Sequence, residues 1–337
     1  MKRKQCLVFV AIATVLLTLT SFKKQAKVLT VFMIGDSTMA NKSIENGNQE
    51  RGWGMALPCF FDDGVRVENH AVNGRSSKSF IDEGRWQRVL DRIKPGDYVF
   101  IQFGHNDEKP KADRHTEPGT TFDANLRKFV LETRERGGIP VLFNAVVRRN
   151  FFKRMPRNDD DEALRKTVGP PDKSLKEEGD TLYDTHGAYL LSPQNVASEQ
   201  NVVFIDANRV THDLEQGLGR EASKKLHMWF LPGEEPSVPK GRQDNTHYNV
   251  YGAHVVARLL ADEVGRKIPR LRKHLVFYDY SVAANGVGDF FTPQEAIEKV
   301  PEGKKCTVQL FPGVWEKPKV PSGKKVKFVL REGAKWK

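Results

Sequence analysis

The sequence predicts an α/β fold built on a parallel sheet, followed by a short β-rich C-terminal segment. Three observations carry this expectation. Five short apolar runs alternate with stretches of helical spacing between Lys27 and Ile268. That alternation stops near Val276, where short alternating segments and frequent glycines take over. Polar motifs stand directly after the apolar runs, and ligands of parallel sheets bind beyond the carboxyl ends of the strands.

The strands are read in order. Val28–Ile34 is apolar and β-branched and stops at Gly35. Val65–Asn69 alternates and ends before Gly74. Tyr98–Phe103 is apolar at nearly every position, as expected of a strand covered on both faces. Ile139–Phe143 is similar, and Val202–Ile205 is the fifth. Between them, Trp86, Val89, Leu90 and Ile93 share a helical face, as do Phe122, Leu126, Phe129 and Val130. Val255, Val256, Leu259, Leu260 and Val264 form another. Strands separated by helices imply parallel pairing. Arg148–Asp180 interrupts the pattern with charged residues, Pro156 and Pro170-Pro171, and reads as a surface insertion. Its run Asp159–Glu162 reads as a solvated acidic cluster in preference to a Ca²⁺ site, because the turn glycine of an oxygen-ligand loop is missing.

The chain has 337 residues, 54 Lys+Arg against 43 Asp+Glu, and a net charge of +11. Its composition excludes a polytopic membrane protein and a mostly disordered chain. Three cysteines exclude a disulfide-rich scaffold, and Cys59 and Cys306 lie too far apart in sequence to argue for a bridge. Met1–Lys4 is basic and Cys6–Phe22 is uncharged, so residues 1–22 read as a secretory signal peptide. The alternative is an uncleaved membrane anchor. Without residues 1–22 the net charge is +8. The expected location is secreted or periplasmic, and the basic balance favours anionic partners.

Four segments carry candidate chemistry. Gly35-Asp36-Ser37 places a hydroxyl on the turn after the first strand, although Asp and Ser there are also ordinary helix caps. Asp244-Asn245-Thr246-His247, expected on a loop before the final long helix, offers an imidazole and a carboxylate to orient it; it also fits a plain Asx-turn. Asn69–Ser77 follows the second strand and contains Gly74, whose backbone N–H can approach a ligand closely. Phe103–Asp107 follows the third and contains Asn106, a side-chain donor. With the Ser37 N–H, these make three candidate donors for an oxyanion.

In this order, Gly35-Asp36-Ser37, Gly74, Gly104-His105-Asn106-Asp107 and Asp244-x-x-His247 resemble the SGNH (GDSL) hydrolase superfamily. The fuller strings Gly-Asp-Ser-Thr-Met-Ala, Gln-Phe-Gly-His-Asn-Asp and Asp-Asn-Thr-His-Tyr-Asn are similar to its rhamnogalacturonan acetylesterase branch. The likeness spans about residues 28 to 266. It implies a flavodoxin-like three-layer sandwich, with Ser37 as nucleophile, His247 as general base and acid, and Asp244 as its orienting partner. It implies an oxyanion hole from the Ser37 and Gly74 N–H groups and the Asn106 side chain. No metal or organic cofactor is implied. His70 and His105 lie in motif segments and are candidates to line the cleft, His254 reads as a packing or surface residue, and Trp53 as a buried aromatic rather than a sugar platform.

The tail resembles the opening of a pectin methylesterase, a right-handed parallel β-helix, through Gly288–Ile297 and Phe311–Lys317. The chain stops before that family's catalytic aspartates, so no methylesterase activity is expected. The tail reads as a single coil without a tandem repeat, and is rich in lysine. The division expected is therefore a signal peptide or anchor at 1–22, a catalytic domain at 27–268 and a partial β segment at 276–337. The activity expected is that of a secreted serine esterase deacetylating an acidic pectic polysaccharide. Its rivals are another acetylated glycan such as xylan, a lipid ester, or a non-catalytic glycan-binding protein. No nucleic-acid partner is expected, and that reading is the weakest rival, because the basic residues read as dispersed, the chain reads as exported and it carries no recognition motif. Oligomeric state is left open.

Overall fold

The computed structural model describes residues 28–153 and 179–337. The proposed signal segment and the acidic run Asp159–Glu162 lie outside the described residues. Strands β1 (Leu29–Gly35), β2 (Val65–Asn69), β3 (Tyr98–Gln102) and β4 (Ile139–Phe143) are followed by two short strands, β5 (Phe151–Phe152) and β6 (Thr181–Leu182), which pair antiparallel across the base of the insertion. Next comes β7 (Val203–Ile205). The main sheet has the order β2-β1-β3-β4-β7 and is parallel throughout. The five expected strands are all present, with ends shifted by one residue at most.

Side chains alternate across this sheet because the strand period is two. Leu29, Val31 and Met33 of β1 pack on one face, with Tyr98, Phe100, Val141 and Phe143. Phe32 and Ile34 pack on the other, with Val99, Ile101 and Leu142. Helices cover both faces, which is why β1 and β3 are buried at every residue. The first face meets α1 (Trp53–Ala56) and a later long helix. The second meets α2 (Ser77–Asp82), α3 (Arg85–Leu90), α4 (Thr121–Glu135) and α5 (Leu191–Gln200). The predicted apolar stripes of α3 and α4 are the ones buried. The architecture is the expected three-layer sandwich.

After α6 (Ala207–Ser223), strands β8 (His227–Phe230) and β9 (Arg242–Tyr248) form an antiparallel pair that leads into α7 (Val250–Lys267). Asn249 caps α7 by accepting from the Gly252 N–H at 2.9 Å. A Cβ at Gly252 would stand 1.8 Å from the Leu226 carbonyl oxygen. Only glycine lets the start of α7 sit against the residue preceding β8.

A short turn, α8 (Pro269–Arg272), leads to the C-terminal segment. It contains β10 (Tyr280–Val282), α9 (Pro293–Lys299), β11 (Lys305–Leu310), β12 (Gly313–Trp315), β13 (Lys325–Leu330) and β14 (Ala334–Trp336). Strands β10, β11 and β13 form one parallel sheet, and β12 and β14 another. Here the expectation of a single coil without repeat is corrected. Two coils stack, with Lys305–Leu310 paired in register to Lys325–Leu330 and Trp315 to Trp336. The Gly303 N–H bonds the Gly323 carbonyl at 2.9 Å, and the Gly313 N–H bonds the Gly333 carbonyl at 3.1 Å.

These coils enclose a small core of Val282, Ala296, Val308, Leu310 and Trp315, flanked by Phe328 and Trp336. Solenoids generally need about three repeats to bury a core. The α/β unit supplies further cover. Gln309 Nε2 donates to the Cys59 carbonyl at 2.7 Å, Arg331 Nη1 to the Pro58 carbonyl at 3.0 Å, and Arg331 Nε to Asp63 at 2.8 Å. His254 lies in the same junction, its ring nitrogens 2.9 Å from the Val250 carbonyl and 3.0 Å from that of Val287. It is a packing histidine. Cys59 and Cys306 are buried free thiols. Among the described residues no helix is long and apolar enough to cross a membrane.

Candidate active site

Ser37 stands at the carboxyl end of β1 on a single turn, closed by the Ala40 N–H bonding the Asp36 carbonyl at 3.0 Å. The next α-helix begins only at Trp53. The turn is held from beneath. Asp36 Oδ1 accepts from the Thr38 N–H and hydroxyl at 2.9 and 2.8 Å. Thr38 Oγ1 accepts from Gln102 Nε2 at 2.8 Å, and Gln102 Oε1 from Trp53 Nε1 at 2.7 Å. Trp53 is thus a fully buried member of this support. Burial raises the Asp36 pKa, against the bonds from Thr38 and the nearby charges of Lys109 and His247.

Asp244 and His247 lie within β9, not on the expected loop. Successive side chains of a regular strand point to opposite faces, so residues three apart would diverge. An Asx-turn overcomes this: Asp244 Oδ1 accepts from the Thr246 N–H at 2.8 Å and the His247 N–H at 2.9 Å. Asp244 Oδ2 then meets His247 Nδ1 at 2.9 Å. His247 Nε2 is 2.9 Å from Ser37 Oγ. With its Nδ1 proton given to Asp244, the imidazole presents a lone pair to the Ser37 hydroxyl, a tautomer assigned from the bonding pattern.

Arg242 Nη2 also donates to Asp244 Oδ2, at 2.7 Å, and Arg242 Nη1 to Glu50 at 2.7 Å. Glu50 pairs with buried Lys42 at 2.8 Å, and Lys42 donates to Asn73 Oδ1 at 2.6 Å. A line of charges therefore joins the carboxylate to the residue before Gly74. Burial works against ionisation of Asp244, but its bonds from His247 and Thr246 outweigh that and hold the carboxyl far below the usual range.

Gly74 has φ 74°, a left-handed conformation that favours glycine. Among the described residues, the N–H groups of Ser37 and Gly74 donate to no protein acceptor. Asn106 Oδ1 accepts from Lys109 Nζ at 2.8 Å, and its Nδ2 donates to the Arg75 carbonyl at 3.2 Å. Lysine can only donate, so this contact fixes which end of the amide is the donor. Asp107 ties the loop to the start of α2. It accepts from the Ser77 N–H and from the Ser77 hydroxyl at 2.5 Å, from the Thr116 hydroxyl at 3.0 Å, and from the Gly104 N–H at 3.2 Å. Burial pushes its carboxyl up to about 7, against the bonds from Ser77 and Thr116.

Two residues of this neighbourhood escape sequence reading. His186 Nδ1 lies 2.7 Å from Asp184 Oδ1, and His186 Nε2 lies 2.9 Å from His105 Nδ1. His105 is buried inside this chain rather than lining a cleft. The available signal was the pair Asp184-x-His186, but it follows the insertion and no predicted strand precedes it. Arg148 closes the arrangement by pairing with Glu108 and donating to the Thr185 hydroxyl at 3.3 Å. His70 is half-buried, 3.6 Å from Glu68, and stands apart from the Ser37 line.

A hydroxyl, an imidazole and a carboxylate bonded in line at the carboxyl end of a parallel sheet have the geometry of a serine hydrolase. The class is that of the carboxylic ester hydrolases. The chain belongs to the GDSL-like lipase/acylhydrolase family, whose model matches residues 33–255. It is 36% identical over 250 residues to the rhamnogalacturonan acetylesterase RhgT of Bacillus subtilis, covering 74% of this chain and 95% of that protein. It is 31% identical over 235 residues to the probable rhamnogalacturonan acetylesterase YesY of the same organism, covering 68% and 90%. The crystal structure of Bacillus subtilis YxiM superposes with a TM-score of 0.53 at 26% identity, covering 71% of this chain and 56% of that one.

Proposed function

We propose that this protein is an exported serine esterase that removes acetyl groups from rhamnogalacturonan or a closely related pectic polysaccharide. The observation that carries this reading is the unbroken line Ser37–His247–Asp244, with both contacts at 2.9 Å. The similarity to relatives named rhamnogalacturonan acetylesterase supports the substrate.

In this reading Ser37 Oγ attacks the acetyl carbonyl while His247 Nε2 takes its proton. Asp244 holds the imidazole in the required tautomer and stabilises the imidazolium. The free Ser37 and Gly74 N–H groups and the Asn106 amide receive the developing oxyanion. Collapse expels the sugar hydroxyl, which leaves with the proton from His247. Water, activated by the same imidazole, then hydrolyses the acetyl-enzyme and releases acetate. Residues 1–22 act as the export signal.

The test is a panel of acetylated rhamnogalacturonan, acetylated xylan and a lysophospholipid at equal ester concentration. Fastest turnover is expected on the rhamnogalacturonan. Preference for the phospholipid would overturn the pectic assignment. Glycan binding without labelling of Ser37 by a fluorophosphonate would overturn catalysis altogether.

A further inference from the structure

The expectation of dispersed basic residues is corrected here, because the positive excess is concentrated in one place. Gly303–Lys337 holds ten Lys and Arg residues against two Glu, a net +8. Residues 23–337 carry +8 in total, so residues 23–302 are balanced. The whole positive excess beyond the N-terminal segment therefore sits on the two stacked coils.

The coils also order that charge. Strand β13 lies in register on β11, which sets Lys325 directly beside Lys305 and Lys327 beside Thr307. Neighbouring strands are about 4.8 Å apart, a spacing on the scale of one sugar unit. Lys305, Lys325 and Lys327 are all exposed. Among the described residues none of the three forms an ion pair. Of the two glutamates, Glu316 is already paired with Lys337 at 2.7 Å. Like charges directly opposite on adjacent strands destabilise a sheet. An anionic partner laid across the strands would relieve that repulsion.

The chemistry of the face selects the partner. Phe328 and Trp336 turn inward to the coil core, so this face offers no aromatic platform for stacking bases. Of the other residues on the same side of the ladder, Thr307 is polar, Gln309 is buried against the Cys59 carbonyl and Val329 is half-buried, so no exposed apolar wedge faces a lipid surface. What remains is three exposed lysines at sugar spacing, with one carboxylate beside them, Asp279, which accepts from the Thr307 N–H at 2.8 Å. We infer that Lys305, Lys325 and Lys327 form an accessory binding face for an acidic polysaccharide bearing carboxylates. This face lies outside the Ser37 site and holds the polymer near the esterase. The identity of the polymer rests on the reading of the active site given above.

The test is equilibrium binding of the full chain to unacetylated polygalacturonate, which needs no esterase activity. The triple substitution Lys305→Glu, Lys325→Glu, Lys327→Glu is expected to weaken binding by about tenfold or more, and added salt to weaken the wild type similarly. Hydrolysis of p-nitrophenyl acetate should stay unchanged. If the Glu variant does not fold, the Lys→Gln triple variant is read instead, with a smaller loss in the same direction. Unchanged affinity would overturn the inference. So would tighter binding to single-stranded DNA or to anionic vesicles than to polygalacturonate at equal charge. Acetate release from short acetylated rhamnogalacturonan oligosaccharides is measured in parallel. Its failure beside lysine-dependent binding would refute the active-site reading and leave the binding face standing.

Discussion

His186 Nε2 lies 2.9 Å from Nδ1 of His105, the residue immediately before Asn106. With His186 Nδ1–H donating to Asp184 Oδ1 at 2.7 Å, the singly protonated ring presents Nε2 as acceptor to the His105 Nδ1–H, a tautomer assigned from the bonding pattern. The segment after the insertion is thereby locked to the loop that carries the Asn106 donor. Replacing His186 with Asn should lower kcat by about ten- to a hundredfold, the scale of a small misplacement of a catalytic group. KM should change little. Steady-state kinetics on a soluble acetyl ester separate the two, and a change confined to KM would contradict a positioning role.

The same chain makes stability depend on pH. Burial first, then the neighbouring His186 and Arg148, hold the His105 imidazole well below its ordinary 6.5. A folded state that binds fewer protons than the unfolded chain loses stability as pH falls below the unfolded value. Asp244 and Asp184 are held below the ordinary carboxylate value of 3.8, against burial, by bonds from His247 and His186 respectively. Their contribution is present above that value and is lost below it. Urea midpoints should therefore fall below about 4, while between about 7 and 4 the loss from His105 is opposed by Asp107 and Asp36, whose raised carboxyls take up protons first in the folded state. In His105→Gln the opposing loss disappears, so the midpoint at pH 5 relative to that at pH 7 should rise above the wild-type ratio, and an unaltered ratio would refute this attribution.

Asp244 and Asn106 should differ in the size of their effects. Asp244→Asn removes the group that sets the imidazole tautomer and should cost roughly ten-thousandfold in kcat. Asn106→Ala removes one oxyanion donor and should cost about a hundred- to a thousandfold. Equal, small losses in both would argue against the proposed roles. Circular dichroism of each variant checks that the fold is retained.

Arg331 ties the outer coil to the α/β unit through the Pro58 carbonyl and Asp63, and it lies over the Phe311 ring of the coil beneath, 4.4 Å from its centroid. Arg331→Ala should lower stability by about 1–2 kcal/mol, the range for losing hydrogen bonds to a charged group at a partly covered site. A thermal melt reads this directly. An unchanged Tm would mean that Arg331 adds nothing to the junction beyond the Gln309 and His254 contacts.

The five strands of the main sheet and the residues of the Ser37 line were legible because their information is local. Each strand is a short apolar run, and each candidate group stands just after one, or in a compact motif such as Asp244–His247. What was misread depends on pairing at a distance. Asn245 and Thr246 look like loop residues, yet the segment is a strand because His227–Phe230 pairs with it. The repeat in the tail was hidden because it occurs only twice and its inward positions differ, Cys306 and Val308 against Val326 and Phe328. The Asp184–His186–His105 chain is assembled from segments eighty residues apart, and no local pattern announces it.

In the proposed function Ser37 is the nucleophile of an acetylesterase acting on a pectic polymer. Acetate release from acetylated rhamnogalacturonan, compared between wild type and Ser37→Ala, tests it most directly. Steady release by the wild type and a loss of at least about a thousandfold in the variant are expected. Equal release by both proteins, or none by the folded wild type, would contradict it.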